Sequence, residues 1–173
     1  PGQPRKIARL PRPPYQFLDR VVAVTGTPFV LEAGPTVEAQ YDIPADEWYF
    51  GANRQSDMPF AVLLEIALQP CGWLAAYCGS ALTSEIDLKF RNLGGKAIQH
   101  QAVTSATGTL TVKVKMTAVS NSGGMIIQHY HMAVHDATGC LYEGTTYFGF
   151  FSQAALADQV GIREAVRYQP TTE

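Results

Sequence analysis

The residues best placed to do chemistry are Glu65 and Gln69, which interrupt an otherwise apolar stretch from Met58 to Leu82. Their spacing of four residues puts both side chains on one face of a helix. A carboxylate on a buried helix is costly unless it is paired, hydrogen-bonded or used in a reaction. From the residues alone, Glu65 is either a buried acid satisfied by Gln69 or the backbone, or a general acid or base.

The helix that carries these residues is apolar almost all the way round, which predicts a helix covered on every side. Met58-Pro59 is a good opening, because proline is tolerated in the first turn of a helix. The run approaches the length of a membrane span. Its polar interruptions, with Pro70, favour a core helix instead, so we expect no membrane span.

The other candidate groups are three cysteines and four histidines: Cys71, Cys78, Cys140, His100, His129, His131 and His135. The odd number of cysteines, without metal-type spacing, is typical of reduced thiols in the cytoplasm. A nucleophilic Cys71 is the weaker alternative, because no histidine lies near it in sequence. The last three histidines share one strand face, where we expect solvated or cross-strand-paired side chains rather than a metal site. We therefore expect no metal and no cofactor.

Composition excludes several classes of function. The chain has 173 residues and a formal net charge of −2, which fits one domain with a real core. No basic patch points to nucleic acid. The N-terminus has no apolar segment of the kind found in signal peptides, so we expect a cytoplasmic protein.

The remaining pattern is mostly that of strands. Residues 1–14 are rich in Pro and Arg and read as a linker or arm, 15–152 as the folded domain, and 153–173 as a C-terminal helix and tail. Alternating or β-branched segments predict strands over 15–25, 29–43, 86–90, 97–103, 109–119, 125–135 and 140–151, with turns at 91–95 and 120–124. This order predicts an α+β fold in which a curled antiparallel sheet wraps around one long helix. A single such sheet would leave part of the helix bare, so we expect two units to pair.

Five segments of the chain resemble one family. They are RPPYQFLDRV (12–21), the stretch from Trp48 to Leu82, FRNLGG (90–95), SGGMIIQHY (122–130) and YEGTTYFGFF (142–151). As a set they are similar to the hotdog-fold dehydratase domains related to the bacterial 3-hydroxydecanoyl-acyl-carrier-protein dehydratase. They look closest to the FabA-like dehydratase regions of polyunsaturated fatty acid and related polyketide synthases. The resemblance covers roughly residues 12–152.

The resemblance implies a site made of a histidine, on the loop before the helix, and an acid on the helix. Position by position, Glu65 matches that acid, Gln69 the polar residue one turn later, and Met58-Pro59 the helix opening. The implied substrate is a 3-hydroxyacyl chain on the phosphopantetheine of an acyl carrier protein. Substrate contacts are expected from four residues near the helix start: Asn53, Met58, Pro59 and Phe60.

The chain departs from that pattern in one respect that matters. No histidine lies between Gly51 and Asp57; the family's position falls at or near Gly51, with Asn53 as the nearest polar substitute. A second hotdog unit, in tandem or as a dimer partner, would have to supply it. The main hypothesis is therefore half of a composite dehydratase, inactive as an isolated chain. The alternatives are a non-catalytic unit for folding, dimerisation or carrier docking, and an acyl thioester hydrolase or isomerase.

Overall fold

The computed structural model describes residues 7–157, which form six strands and four helices. In chain order the elements are β1 (Arg20–Val24), β2 (Thr36–Asp42), α1 (Trp48–Asn53), α2 (Phe60–Tyr77), α3 (Ser80–Thr83), β3 (Lys89–Gln99), β4 (Thr109–Ser122), β5 (Met125–His135), β6 (Cys140–Phe151) and α4 (Gln153–Ala157). The predicted hotdog architecture, a curled antiparallel sheet around one long helix, is confirmed.

The sheet has the strand order β1-β2-β4-β5-β6-β3, and every neighbouring pair is antiparallel. The predicted hairpin turn between β4 and β5 is present. Gly123 and Gly124 have φ values of 61° and 74°, in the left-handed region that such a turn requires and that glycine adopts without a Cβ clash. Strands β4 and β5 therefore pair around a turn that could be predicted directly from the sequence.

Helix α2 packs against the inner face of this sheet. Leu63, Ile66, Ala67 and Leu74 are fully buried, and α2 contacts strands β2, β4 and β5. The prediction that the helix is covered on every side is wrong for the single chain. A stripe along the helix remains half-buried or exposed, and it includes Ala61, Leu64, Glu65, Leu68 and Ala76. The cause is geometric, because one curled sheet can enclose only one side of a helix.

The apolar stretch also does not form one helix from Met58 to Leu82. Helix α2 ends at Tyr77, and α3 follows after Gly79, whose φ of 99° is incompatible with a continuing right-handed helix. By length and composition the segment Phe60–Thr83 could cross a membrane, but half of its most apolar window is buried inside the fold. A core helix passes the same test.

The prediction of a turn at residues 91–95 is wrong. These residues lie inside β3, where a bulge between Asn92 and Gly94 shifts the register against β6. A Cβ on Gly95 would lie 2.4 Å from the carbonyl oxygen of Thr145. The glycine therefore marks a close approach of two strands, not a reversal of the chain.

The ends of the domain differ in extent from their predictions. Strands β1 and β2 are shorter than the predicted 15–25 and 29–43, and the aromatic residues from Trp48 begin the short helix α1. Within the predicted C-terminal helix, Gln153–Ala157 form α4; residues 158–173, like residues 1–6, lie outside the described residues.

An exposed ion pair joins the three strands at one edge of the sheet. Arg20 of β1 donates to Asp42 of β2 at 2.9 Å, and the Thr109 hydroxyl of β4 donates to the same carboxylate oxygen at 2.7 Å. The hydrogen bond from Arg20, followed by that from Thr109, lowers the pKa of Asp42 to about 2. Any stabilisation from this pair is present above the unfolded-state pKa and is lost as the pH falls through about 2.

We expect Arg20→Gln to raise the pKa of Asp42 most of the way back to its ordinary value of about 3.9. An NMR titration of the carboxyl carbon of Asp42 measures this. Lys113→Gln is the matched control, because Lys113 lies 3.9 Å from Glu38 on the same sheet and does not contact Asp42. An unchanged pKa in Arg20→Gln would contradict the assignment of the shift to that guanidinium.

Candidate active site

Glu65 lies on the exposed stripe of α2, at the wall of a groove of about 930 Å³. The helix contributes Leu68, Gly72 and Trp73 to the same wall, and the sheet contributes Phe148 and Phe150. The carboxylate is half-buried, and its Oε1 accepts a hydrogen bond from Gln69 Nε2 at 3.2 Å. The groove thus offers an oriented carboxylate beside an apolar surface, which suits a proton transfer to an acyl chain.

Gln69 is 2% exposed, and its amide is fully engaged. Its Oε1 accepts from the backbone N–H of Phe17 at 2.7 Å, and its Nε2 donates to the carbonyl of Tyr15 at 2.9 Å as well as to Glu65. The Phe17 N–H fixes which end of the amide is oxygen, so Nε2 must face the carboxylate. This arrangement suits a residue that positions Glu65 better than one that itself exchanges a proton.

Two of these bonds hold the backbone at Tyr15 and Phe17, directly after the N-terminal arm, against α2. Within the described part of the arm, residues 7–12 line the groove instead of extending away from the domain. Leu10 packs on Gly72, where an added Cβ would lie 3.0 Å from the leucine Cδ2. Arg9 and Arg12 bring positive charge to a groove that also contains Asp19 and Glu65.

The start of α2 lies beside a second, smaller groove of about 250 Å³. Phe60 is 48% exposed, lines this groove with Leu64 and Leu68, and packs its ring 5.7 Å from that of Tyr142. Leu68 also lines the groove of Glu65, so the two grooves meet there. The first N–H groups of any helix have no acceptor within it, so this end of α2 can stabilise a developing negative charge.

Met58 and Pro59 have structural roles at the start of α2. Met58 is 3% exposed and donates its N–H to the carbonyl of Val103 at 2.7 Å, while Pro59 is the N-cap of α2. Of the four predicted substrate contacts, only Phe60 lines a groove in the single chain. The other three stay predictions, since a partner unit could build a surface beside them.

The position predicted for the absent histidine, at or near Gly51, lies in α1. The side chain of Asn53 makes a local hydrogen bond, in which its Nδ2 donates to the carbonyl of Asp57 at 3.2 Å. Gly51 has no heavy atom within 4 Å of where a Cβ would be. Packing therefore leaves room for a side chain at position 51, and neither residue lines the groove of Glu65.

The structure answers the question about Cys71. Its side chain is fully buried, its thiol lies 3.5 Å from the carbonyl of Ala67, and burial raises the pKa of the thiol far above its usual range. A thiolate is the nucleophilic form of cysteine, so Cys71 is not a nucleophile in this fold. It fills the core as a small apolar group.

The aromatic residues divide between the core and the groove. Tyr49 is buried with its hydroxyl 3.2 Å from that of Tyr41, and burial raises the pKa of Tyr49 above its usual range. Trp48 is exposed and donates from Nε1 to the carbonyl of Pro14 at 3.1 Å. Trp73 is stacked on Tyr77, with ring centroids 5.5 Å apart, and alone of these five lines the groove.

The histidines lie away from both grooves. His129 and His131 are exposed on the outer face of β5, as their spacing predicts, and His129 stacks on Tyr147 of β6 at 5.2 Å. Among the described residues, no histidine lines either groove. The sequence interpretation missed the cluster formed by His100, Cys140 and Glu143, because these residues are far apart in the chain or out of phase along it.

Comparison with known proteins gives a consistent picture. The family model of the FabA-like domain matches residues 10–143. One subunit of a polyunsaturated fatty acid synthase from Thraustochytrium sp. (strain ATCC 26185 / S-3) is 31% identical over 173 residues. That match covers 94% of this chain but only 12% of the relative, so the chain spans a small part of that protein.

Two solved structures share the fold. The dehydratase heterocomplex ApeI:P from Xenorhabdus doucetiae has a TM-score of 0.59 at 15% identity, covering 84% of this chain and 90% of that one. The fluoroacetyl-CoA thioesterase FlK has a TM-score of 0.54 at 13% identity, covering 70% of this chain and 88% of that one. Because dehydratases and thioesterases both use this fold, the fold alone does not select the reaction.

Proposed function

The chain belongs to the FabA-like domain family, and from that premise we propose that it is one half of a composite 3-hydroxyacyl-thioester dehydratase. Glu65 is the acid of that site, and a second hotdog unit supplies the histidine. One observation carries the proposal. A hydrogen-bonded carboxylate lies on the bare stripe of α2, at the wall of a groove to which the described residues bring no histidine.

The reaction needs two proton transfers. The partner's histidine takes the proton from C2 of the substrate, and Glu65, in its protonated form, gives a proton to the hydroxyl at C3. The C3–O bond breaks, water leaves, and a double bond forms between C2 and C3. Backbone N–H groups at the start of an α2 helix stabilise the charge that develops on the thioester oxygen. Gln69 holds Glu65 in place through the bond at 3.2 Å.

The substrate class follows from the family and the groove. We propose an acyl chain carried as a thioester on the phosphopantetheine of an acyl carrier protein, with Phe60, Met58, Pro59 and Asn53 beside the bound thioester. Groove residues such as Leu68 and Phe148 offer the acyl chain an apolar surface. A synthase of polyunsaturated fatty acids or polyketides is the proposed setting, because the 31% identical relative is a subunit of a polyunsaturated fatty acid synthase. The cytoplasm is the proposed compartment.

A second hotdog unit is the proposed partner of the bare stripe on α2. The stripe combines exposed Ala61 and Ala76 with half-buried Leu64 and Leu68, an apolar surface that association would remove from water. The structural neighbour from Xenorhabdus doucetiae is itself a heterocomplex, which offers a precedent for pairing unlike units.

The test compares this chain alone with the same chain joined to a histidine-bearing hotdog unit of the same synthase. We expect no dehydration of a 3-hydroxyacyl thioester by the chain alone, and dehydration by the joined pair. The histidine-bearing unit alone is the control. Turnover by the isolated chain would refute the proposal that its site is incomplete.

Two other outcomes would select the alternatives. If the joined pair dehydrates equally well when Glu65 is replaced, this chain is a non-catalytic unit for folding, dimerisation or docking. If the chain releases free acid or moves a double bond without dehydration, it is a hydrolase or isomerase with Glu65 as base. Product analysis by mass spectrometry separates these reactions.

A further inference from the structure

Three side chains of metal-ligand type converge on the outer face of the sheet, on the side opposite to α2. The ligand atoms of His100, Cys140 and Glu143 all lie within 4.8 Å of one another. His100 Nε2 and Glu143 Oε1 are 3.0 Å apart. None of the three lines either groove described above. The cluster therefore lies apart from the proposed dehydratase site.

A bulge in the sheet builds this cluster. On β6, Tyr142 pairs with Val134 while Cys140 pairs with His135, so Leu141 is an extra residue with no partner on β5. Side chains alternate along a regular strand, and Cys140 and Glu143 would then point to opposite faces. The extra residue reverses that alternation and brings both side chains to the outer face.

The same bulge residue anchors the third member. The carbonyl of Leu141 accepts the backbone N–H of His100 at 2.8 Å and that of Gln101 at 3.3 Å. The end of β3 is thereby held against the start of β6, and the imidazole of His100 meets the Glu143 carboxylate. Two backbone bonds to one bulge residue make the convergence a property of the fold rather than of freely moving side chains.

We propose that His100, Cys140 and Glu143 bind a divalent transition-metal ion of the Zn²⁺ class. Thiolate, imidazole and carboxylate together match the preferences of Zn²⁺, whose bonds to these groups are about 2.0–2.3 Å long. A tetrahedron with such bonds has edges of roughly 3.3–3.7 Å. The 3.0 Å pair is close to that length, and the half-exposed side chains can close the wider gaps by rotation.

The fourth position has a candidate as well. His135 is the direct cross-strand partner of Cys140, and its Nδ1 is buried without a hydrogen-bond partner among the described residues. A metal-bound water is the other occupant that a three-ligand site would take. In either case the ion would join β3 to the β5–β6 hairpin. This proposal replaces the expectation, drawn from sequence spacing, of a protein without a metal site.

An ion pair between His100 and Glu143 is the competing explanation. It accounts for two of the three residues and needs no metal. It does not account for the position of Cys140, whose thiol lies within 4.8 Å of both partners while donating to the carbonyl of Tyr142 at 3.5 Å. Binding measurements on variants of the cysteine therefore separate the two explanations.

The test is a titration of the full 173-residue chain, without a histidine tag and with its thiols reduced, using Co²⁺ as a spectroscopic probe. We expect one ion per chain and an absorption band of thiolate-to-cobalt charge transfer, which added Zn²⁺ removes by displacement. Zn²⁺ should also raise the Tm of the wild-type chain, because an ion that binds only the folded state stabilises it.

The variants assign the ligands. We expect Cys140→Ser to abolish the charge-transfer band, and His100→Gln and Glu143→Gln each to weaken Zn²⁺ binding by roughly tenfold or more. The matched control is the double variant His129→Gln/His131→Gln, on the same face of the sheet, which should bind normally. Absence of one-to-one binding, or a band that survives Cys140→Ser, would overturn the proposal, and loss of binding in the control would place the ion on β5 instead.

Discussion

Glu65→Gln is expected to lower the dehydration rate of the joined pair of hotdog units by roughly 10²–10⁴-fold, the usual contribution of a positioned general acid. An amide cannot give the leaving hydroxyl its proton. The glutamine can still accept the hydrogen bond that Gln69 Nε2 donates at 3.2 Å in the wild-type chain, so the geometry is retained. The loss should therefore appear in kcat, with the fold and substrate binding nearly unchanged. Stopped-flow or mass-spectrometric turnover of a 3-hydroxyacyl thioester measures it.

The control for charge is Glu85→Gln, because Glu85 is exposed and lines neither groove. It should be fully active. Glu65→Asp retains the acid on a shorter side chain and should keep part of the rate. If Glu65→Gln turns over normally while its Tm also stays unchanged, Glu65 is not the acid. That result would favour the alternative in which this chain is a non-catalytic unit.

Most of the scaffold around Glu65 could be predicted from sequence, because it depends on local patterns. The apolar run from Met58 predicts the central helix, and the spacing of Glu65 and Gln69 predicts their shared face. The alternating segments after residue 109 predict β4, β5 and β6 closely. In each case the signal is a pattern within about a dozen neighbouring residues. The pattern arises because one face of the helix or strand is buried.

The features that were missed depend on contacts between distant segments. The glycines at 94 and 95 have the composition of a turn, but the close approach of β6 makes them part of a bulged strand. Another bulge, at Leu141, changes which side chains share a face, and no count of residues from Cys140 to Glu143 reveals it. The sequence predicts more coverage of α2 than the single chain provides, because apolar composition does not show whether the chain's own sheet or a partner covers the helix.

The partners of Gln69 belong to the same group of long-range contacts. Its amide holds backbone groups that are 52 and 54 residues earlier in the chain. The sequence predicted a polar residue beside Glu65 but not that this residue also fastens the backbone at Tyr15 and Phe17, directly after the N-terminal arm. The structure therefore couples three things that the sequence keeps separate: the candidate acid, the buried segment at Phe17, and the arm that lines the groove.

Gln69→Leu should consequently affect both stability and activity. Leucine is close to glutamine in size but leaves the N–H of Phe17 buried without its acceptor at 2.7 Å, and the carbonyl of Tyr15 without its donor at 2.9 Å. The buried N–H of Phe17 loses its partner at a cost of about 1–3 kcal/mol, and the part-buried carbonyl of Tyr15 adds less, so we expect the free energy of unfolding to fall by about 1–4 kcal/mol. Urea denaturation followed by tryptophan fluorescence measures the change.

Two further readouts show whether the arm and the acid respond as the contacts require. In Gln69→Leu the arm should detach from α2, so trypsin should cleave after Arg9 faster than in the wild-type chain. In the joined pair kcat should fall more than KM rises, because Glu65 loses the group that orients it. Gln99→Leu is the matched control, since the Gln99 side chain donates to the nearby carbonyl of Gln101 at 3.0 Å and makes no other hydrogen bond among the described residues. If Gln69→Leu unfolds like the control and its arm stays protected, then the amide is not the link between the arm and the acid, and Glu65 must be oriented by the partner unit instead.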